Sequence, residues 1–389
     1  MVAYDPYSAE AMTDPYPVYT ELRAAGAVHR LDAYDTWALP RFAEVWEVLE
    51  DRDRFSVVEG PVFHRDRLLV HNGGPPARDA GPMTSFSMID PPGHTRYRQA
   101  LHRSFTPRRA GVLAPDVDAM VAARLDLLDG RDRFDVVADY AGPVSTEATL
   151  RFLDLPVADA GWLRDRVTTS NRRDPGRPGM SPAGLAARRD VQTYLEEHVA
   201  NAPGAVALAV LGMGVGVDAA AVQLGTILVG GVETLPKIIA GAAVRFAADP
   251  AQHALLCDTP GLFAGAFEEV VRLEGVLQSV GRTLLTDAVI GGQAMRAGQR
   301  VLLLLQSANR DEREFDDPER FDVGRAAARH VGFGQGTHFC IGIHVARTAG
   351  IALLRGLLTR YPAFTVDLGA AERPPSEFQI GWTRMPVVV

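Results

Sequence analysis

Two cysteines, Cys257 and Cys340, are all that 389 residues contain, so a disulfide framework is excluded and a reducing, cytoplasmic setting is expected. Lysine is scarcer still: Lys237 stands alone, and every other basic side chain apart from histidine is arginine. Basic charge is not in excess either, since 48 acidic residues against 40 Lys+Arg give a net charge of −8, which excludes a nucleic-acid footprint spread over the surface. The first residues, MVAYDPYSAEAMTDPYPVY, lack a basic segment followed by an apolar one, so no signal peptide is expected. No internal repeat and no low-complexity linker divides the chain. The one run apolar enough to raise a membrane question is 205–232. Asp218 and Gln223 interrupt it and no Lys/Arg flank orients it, so it reads as a core helix entered at Asp218, without membrane insertion.

What is present is ordinary material for a packed protein: 47% hydrophobic and 23% charged residues. The early chain alternates turn-rich stretches with short strand-like runs such as Thr36–Leu39. Helical spacing of apolar residues takes over from His94, over Thr95–Phe105, Pro115–Leu128, Pro182–Val199, Asp218–Phe246 and Leu262–Leu273. Strand signals return at Arg282–Ile290 and Arg300–Leu305, and the Pro/Arg/Gly-rich stretch 172–182 reads as a mobile loop. The expected fold is mainly α with small β-sheets in a single domain over 1–389, strand-rich to about residue 75 and helix-rich over about 76–389.

The densest chemistry lies in VGFGQGTHFCIGIHVAR, 331–347, where Gly334, Gly336 and Gly342 surround Cys340 just before an apolar helix. Glycines let backbone bend sharply or approach a flat ligand. A thiolate at a helix N-terminus is stabilised by the dipole and by free N–H groups. A buried inert thiol is the plain alternative, and no nearby CxxC completes a zinc site. The long pattern F-G-x-G-x-H-x-C-x-G decides between them: it resembles the cysteine loop of the cytochrome P450 family, soluble bacterial type, the haem-thiolate monooxygenases. Phe333, Gly334, Gly336, His338, Cys340 and Gly342 match its fixed positions. The resemblance implies haem b (iron protoporphyrin IX) between a long central helix and the cysteine loop, with Cys340 as iron ligand, Phe333 covering the sulfur, and His338 at a propionate.

Three further stretches carry the same resemblance. Glu269 and Arg272, an ExxR that means nothing by itself, precede the cysteine loop at the family's interval, and PERF supplies Arg320. A buried Glu269–Arg272–Arg320 structural network is implied. DPPGHTRYR places His94 and Arg98 at i and i+4, resembling the family's propionate helix, and Arg282 resembles another propionate ligand. Gly230-Gly231-Val232-Glu233-Thr234 fits the family's acid–alcohol pattern in mid-helix. By resemblance Thr234 and Glu233 deliver protons during dioxygen activation. A plainer reading has Thr234 bonding back to a carbonyl one turn earlier, and Pro236 departs from the usual sequence there.

The resemblance also places pocket-lining residues: Phe86 within MTSFSM, Val229, Val232, Leu277, Gln278 and Phe378, with Gln278 and Ser279 offering single hydrogen bonds. A small, largely hydrophobic organic substrate of natural-product (secondary-metabolism) type is expected. No reductase module is fused to the chain, so electrons are expected from a separate ferredoxin or flavodoxin with its NAD(P)H-dependent reductase, docking on Arg103, Arg108, Arg109 and Arg347. Peroxide use, oxidative coupling and a non-catalytic haem sensor are the alternatives, the last disfavoured by the intact acid–alcohol pair.

Overall fold

The computed structural model describes residues 2–70, 74–77, 81, 83–172, 180–325 and 329–389. Most of the loop expected over 172–182 lies outside these residues.

A single helix, Val217–Ala248, organises the molecule. Its 32 residues span about 48 Å at 1.5 Å per residue. It is the one described helix long and apolar enough to cross a membrane, yet 61% of its most apolar window is buried by other parts of the chain. Its apolar residues face every direction because helices surround it, as expected for a core helix. The C-terminal half, Leu235 to Phe246, packs with the helices Phe263–Glu274 and Ile343–Arg360 in one core cluster. The N-terminal half, Ala220 to Val232, packs with Gly93–Leu101 and Pro182–Asn201 in a second. The two clusters meet at Val232–Leu235, beside the acid and the alcohol.

The helices follow the apolar spacing closely, and Pro182–Asn201, Val217–Ala248 and Phe263–Glu274 begin or end within two residues of expectation. The sheets depart further. A five-stranded sheet runs β1–β2–β8–β5–β3, with β1 His29–Leu31, β2 Thr36–Leu39, β3 Phe55–Ser56, β5 Val280–Leu284 and β8 Arg300–Leu303. β2 lies parallel to β8 with Thr36 opposite Arg300, and the other pairs are antiparallel. The strand expected over Arg282–Ile290 is broken by a turn, and its second half pairs as β6, Ala288–Ile290, with β7, Gln293–Met295. A third sheet sets β10, Pro386–Val388, between β4, Arg133–Asp135, and β9, Thr365–Val366.

The segment to residue 75 is less strand-rich than expected. It holds three short strands but also the helices Tyr16–Ala25 and Phe42–Glu50, because Phe42, Val45, Val48 and Leu49 repeat at helical spacing and bury one face. Its strands are completed by partners about 250 residues later, so it is not a separate unit.

The expected charge network is present with one partner exchanged. Glu269 and Arg272 have no solvent exposure and pair at 2.7 Å. The third member is Arg325, 3.1 Å from Glu269, and not Arg320. The Arg320 side chain is 59% exposed beside Asp322; only its carbonyl faces Arg272. Turns at Asp317 and Asp322 reverse the backbone here, so the residue named by the motif points to solvent and a later one reaches in.

Arg272→Met should therefore lower stability by about 3–5 kcal/mol by stranding Glu269. Arg320→Ala should stay within about 0.5 kcal/mol, as for a surface change. Urea unfolding of the two variants checks the exchange, and equal losses would refute it.

Candidate functional site

The cysteine loop is held by close approach on both sides. Gly336 has φ +69°, and a Cβ there would lie 2.3 Å from the Leu49 carbonyl oxygen, so only glycine lets the loop sit against the helix Phe42–Glu50. Cys340 N–H donates to the Phe333 carbonyl at 3.0 Å, closing the loop on itself. Gly342 caps the helix Ile343–Arg360. Burial pushes the Cys340 thiol up, while the Gly342 N–H and the charges of Arg98 and Arg347 pull it back. The sulfur thus faces donors suited to a thiolate. Phe333 is half-buried below the loop with the Arg347 guanidinium 5.7 Å from its ring.

Four basic side chains converge near this loop from three separate segments. His94 and His338 lie with ring centroids 4.2 Å apart. Arg98 donates to the Phe339 carbonyl at 2.5 Å, and Arg282, buried in β5, donates to the Gly281 carbonyl at 2.8 Å. Among the described residues no carboxylate forms an ion pair with either arginine. Burial and then Arg98 lower His94 to about 4. Burial, His94, Arg282 and Arg98 lower His338 to about 2, and burial lowers Arg282 to about 10 against the opposing charge of Asp90. Groups that depress one another's protonation are built to receive an anion. Two carboxylates, as on a haem, fit that set, and the Cys340 sulfur fits its iron.

The third component is the middle of the central helix. Gly230 is exposed and Thr234 only half-buried, although both lie in the core's main helix, and a Cβ at Gly230 would meet no atom within 4 Å. That open groove can take a flat group. The neighbouring face is closed: a Cβ at Gly231 would lie 2.1 Å from Thr149 Oγ1, and Ser145 Oγ donates to the Gly231 carbonyl at 2.6 Å. Pro236 supplies no N–H to the Val232 carbonyl, which loosens this turn without ending the helix. Thr234 Oγ1 donates to the Gly230 carbonyl at 2.6 Å, the back-bonded arrangement that was the plainer expectation.

Glu233 does not touch Thr234. It is 7% exposed and paired at 2.9 Å with Lys237, and its other oxygen accepts from Thr168 at 2.9 Å. Sequence reasoning placed Gln379 in the pocket-lining run Phe378–Ile380, but it missed Thr168 and the pairing of Lys237. The signal that could have found Lys237 is its spacing, four residues after Glu233 on the same helix.

Of the proposed pocket residues, Phe86 is buried, and its N–H donates to Gln223 Oε1 at 2.7 Å. Gln223 also donates to the Thr84 carbonyl at 3.0 Å, so the polar break in the apolar run fastens the 84–88 segment onto the central helix. Val229 and Val232 lie on that helix, half-buried and buried. Leu277 bridges to Gln379, and Gln278 N–H donates to the Phe378 carbonyl at 2.8 Å, which joins both wall segments. The Gln278 side chain is a correction: it donates to the Ala11 carbonyl at 2.7 Å and anchors the N-terminal helix, because side chains alternate along this extended segment. Arg103, Arg108 and Arg109 are exposed, whereas Arg347 is held by Glu268 at 2.7 Å and is not a free cation.

Residues 262–387 match the family model described as Cytochrome P450. The chain is 31% identical over 380 residues to "Cytochrome P450 130" of Mycobacterium tuberculosis, covering 92% of this chain and 91% of that one. It is 33% identical over 374 residues to "Cytochrome P450 monooxygenase PikC" of Streptomyces venezuelae, covering 92% and 86%. The crystal structure of CalO2 superposes with a TM-score of 0.85 at 28% identity, over 100% of this chain and 99% of that one.

Gly231→Ala should cost about 1–3 kcal/mol by overpacking against Thr149, and Thr149→Ala in the same chain should recover most of the loss in thermal unfolding. Additive losses would show that the helices do not meet there. Glu268 has an acid limb of its own. Burial raises it, but Arg347 and His330 outweigh that and hold it at about 2 against an ordinary 4.5. A depressed folded-state value means stability fully present above pH 4.5 and lost as pH falls toward 2. Unfolding free energies between pH 7 and 3 should fall less steeply in Glu268→Gln, and an unchanged slope would count against the pairing.

Proposed function

The chain belongs to the cytochrome P450 family and is a monooxygenase, and we propose that it oxidises a small, largely hydrophobic organic substrate, by hydroxylation or a related outcome, using a b-type haem on Cys340 and electrons from a separate ferredoxin or flavodoxin. One observation carries the residue assignment: a half-buried thiol before a helix N-terminus lies within electrostatic reach of Arg98, which belongs to a basic cluster whose arginines form no carboxylate ion pair among the described residues. When bound, the haem supplies the redox chemistry that activates dioxygen.

The protein's share is binding, orientation and proton handling. Cys340 would hold the iron, with the Gly342 N–H tempering the charge on sulfur. Arg98, Arg282, His94 and His338 would hold the propionates; guanidiniums donate in parallel pairs to carboxylates. The glycine groove gives access to the Thr234 hydroxyl, which carries a transferable proton and is released by breaking one bond to the Gly230 carbonyl. Glu233 lies one position away but has both carboxylate oxygens engaged by Lys237 and Thr168, so it must turn to serve that hydroxyl.

The substrate class rests on the wall. Phe86, Val229, Val232, Leu277 and Phe378 are apolar, and the Gln278 side-chain amide is turned to the Ala11 carbonyl. The exposed arginines Arg103, Arg108 and Arg109 form no ion pair among the described residues and offer an acidic electron donor a docking face. Cytoplasmic residence accords with two cysteines that form no disulfide.

The reduced protein with carbon monoxide should show the strongly red-shifted Soret band of thiolate ligation, and Cys340→Ala should abolish it. A histidine-type band in folded protein would overturn the assignment of Cys340.

A further inference from the structure

In a chain that otherwise uses arginine for every strong base, the one lysine holds two side chains from a nearly buried position. Lys237 Nζ donates to Glu233 Oε2 at 2.9 Å and to Gln379 Oε1 at 2.7 Å. Its side chain is only 11% exposed. The backbone of the C-terminal segment passes directly over the stem: an added Cβ at Gly381 would lie 3.0 Å from Lys237 Cβ.

We propose that Lys237 is a positioning residue that keeps Glu233 turned away from Thr234 and couples that acid, through Gln379, to the wall of the pocket. The proposal rests on the reading of Thr234 as the proton-bearing hydroxyl. Two sets of bonds carry it. Glu233 has one oxygen on Lys237 and the other on Thr168, so neither is directed at Thr234. Gln379 belongs to the wall, since it bridges to Leu277, and the flanking Gln278–Phe378 and Ile380–Val276 backbone bonds tie the two strands. Any occupant that displaces Phe378 and Gln379 therefore pulls on the ammonium and loosens the acid. Occupancy of the wall and availability of Glu233 become one event.

The single lysine makes the test clean. Protein grown on lysine labelled with ¹³C at Cε yields one side-chain resonance. Two low-spin ferric complexes are compared, one with imidazole and one with the bulkier 4-phenylimidazole. The lysine signal should differ between them in the wild type. In Gln379→Leu the difference should collapse while both azoles still shift the Soret band. Glu233→Gln should move the signal in either complex. For stability, Lys237→Met should lower the thermal midpoint by stranding the acid, and Glu233→Gln combined with Lys237→Met should recover most of that loss. A lysine signal identical in wild type and Glu233→Gln, or a response to 4-phenylimidazole that persists in Gln379→Leu, overturns the coupling. Absence of a Soret shift with either azole instead overturns the haem reading on which it rests.

Discussion

Arg272 is the residue on which the placement of the cysteine loop depends. A guanidinium has five N–H donors, and at zero exposure each one left without an acceptor is costly. Two go to the Glu269 carboxylate, two to the carbonyls of Asn309 and Pro318, and the last, at 3.5 Å, to that of Arg320. Glu269 in turn accepts from the Asp322 N–H and from Arg325. One ion pair therefore fastens a core helix to an irregular segment of about fifteen residues. The side chain of Asn309 then accepts the N–H of Val331 at 2.8 Å, where the cysteine loop begins. Position passes from a buried charge to a loop that has little regular structure of its own.

The central helix meets a different constraint. It must be apolar enough to sit in the middle of the protein and still carry an acid, an alcohol and an amine. Each polar group there has a named partner: Thr234 bonds its own helix, Glu233 reaches Thr168 on the helix Ala160–Asn171, and Lys237 reaches Gln379 near the C-terminus. These bonds offset the desolvation that would otherwise exclude such residues. Tight packing on the Gly231 side and open space on the Gly230 side come from consecutive glycines that face different neighbours. One admits the Thr149 helix and the other leaves room for a ligand.

The basic cluster has the opposite balance. His94, Arg98, Arg282 and His338 are placed close together although they oppose one another's charge, and no protein carboxylate pairs with the arginines among the described residues. Such an arrangement favours a bound anion, which is the place the proposed function gives to the cofactor, whereas around Arg272 the compensating carboxylate is the protein's own.

Much of this was legible in the residues. Apolar spacing located the long helices, because burial on one or all faces leaves a period of 3.6 in the chain itself. The cysteine loop, the propionate-type residues and the acid–alcohol pair were legible as motifs, since each is a run of local positions. The partners of those residues were not. Arg325 in place of Arg320, Gln278 turned to Ala11, Lys237 joined to Gln379, and β2 lying beside β8 all follow from where distant segments meet. Local spacing determines which elements form and which residues a motif supplies. Only the tertiary structure decides the direction of a side chain in an irregular segment, because the backbone turns that aim it are set by contacts hundreds of residues away.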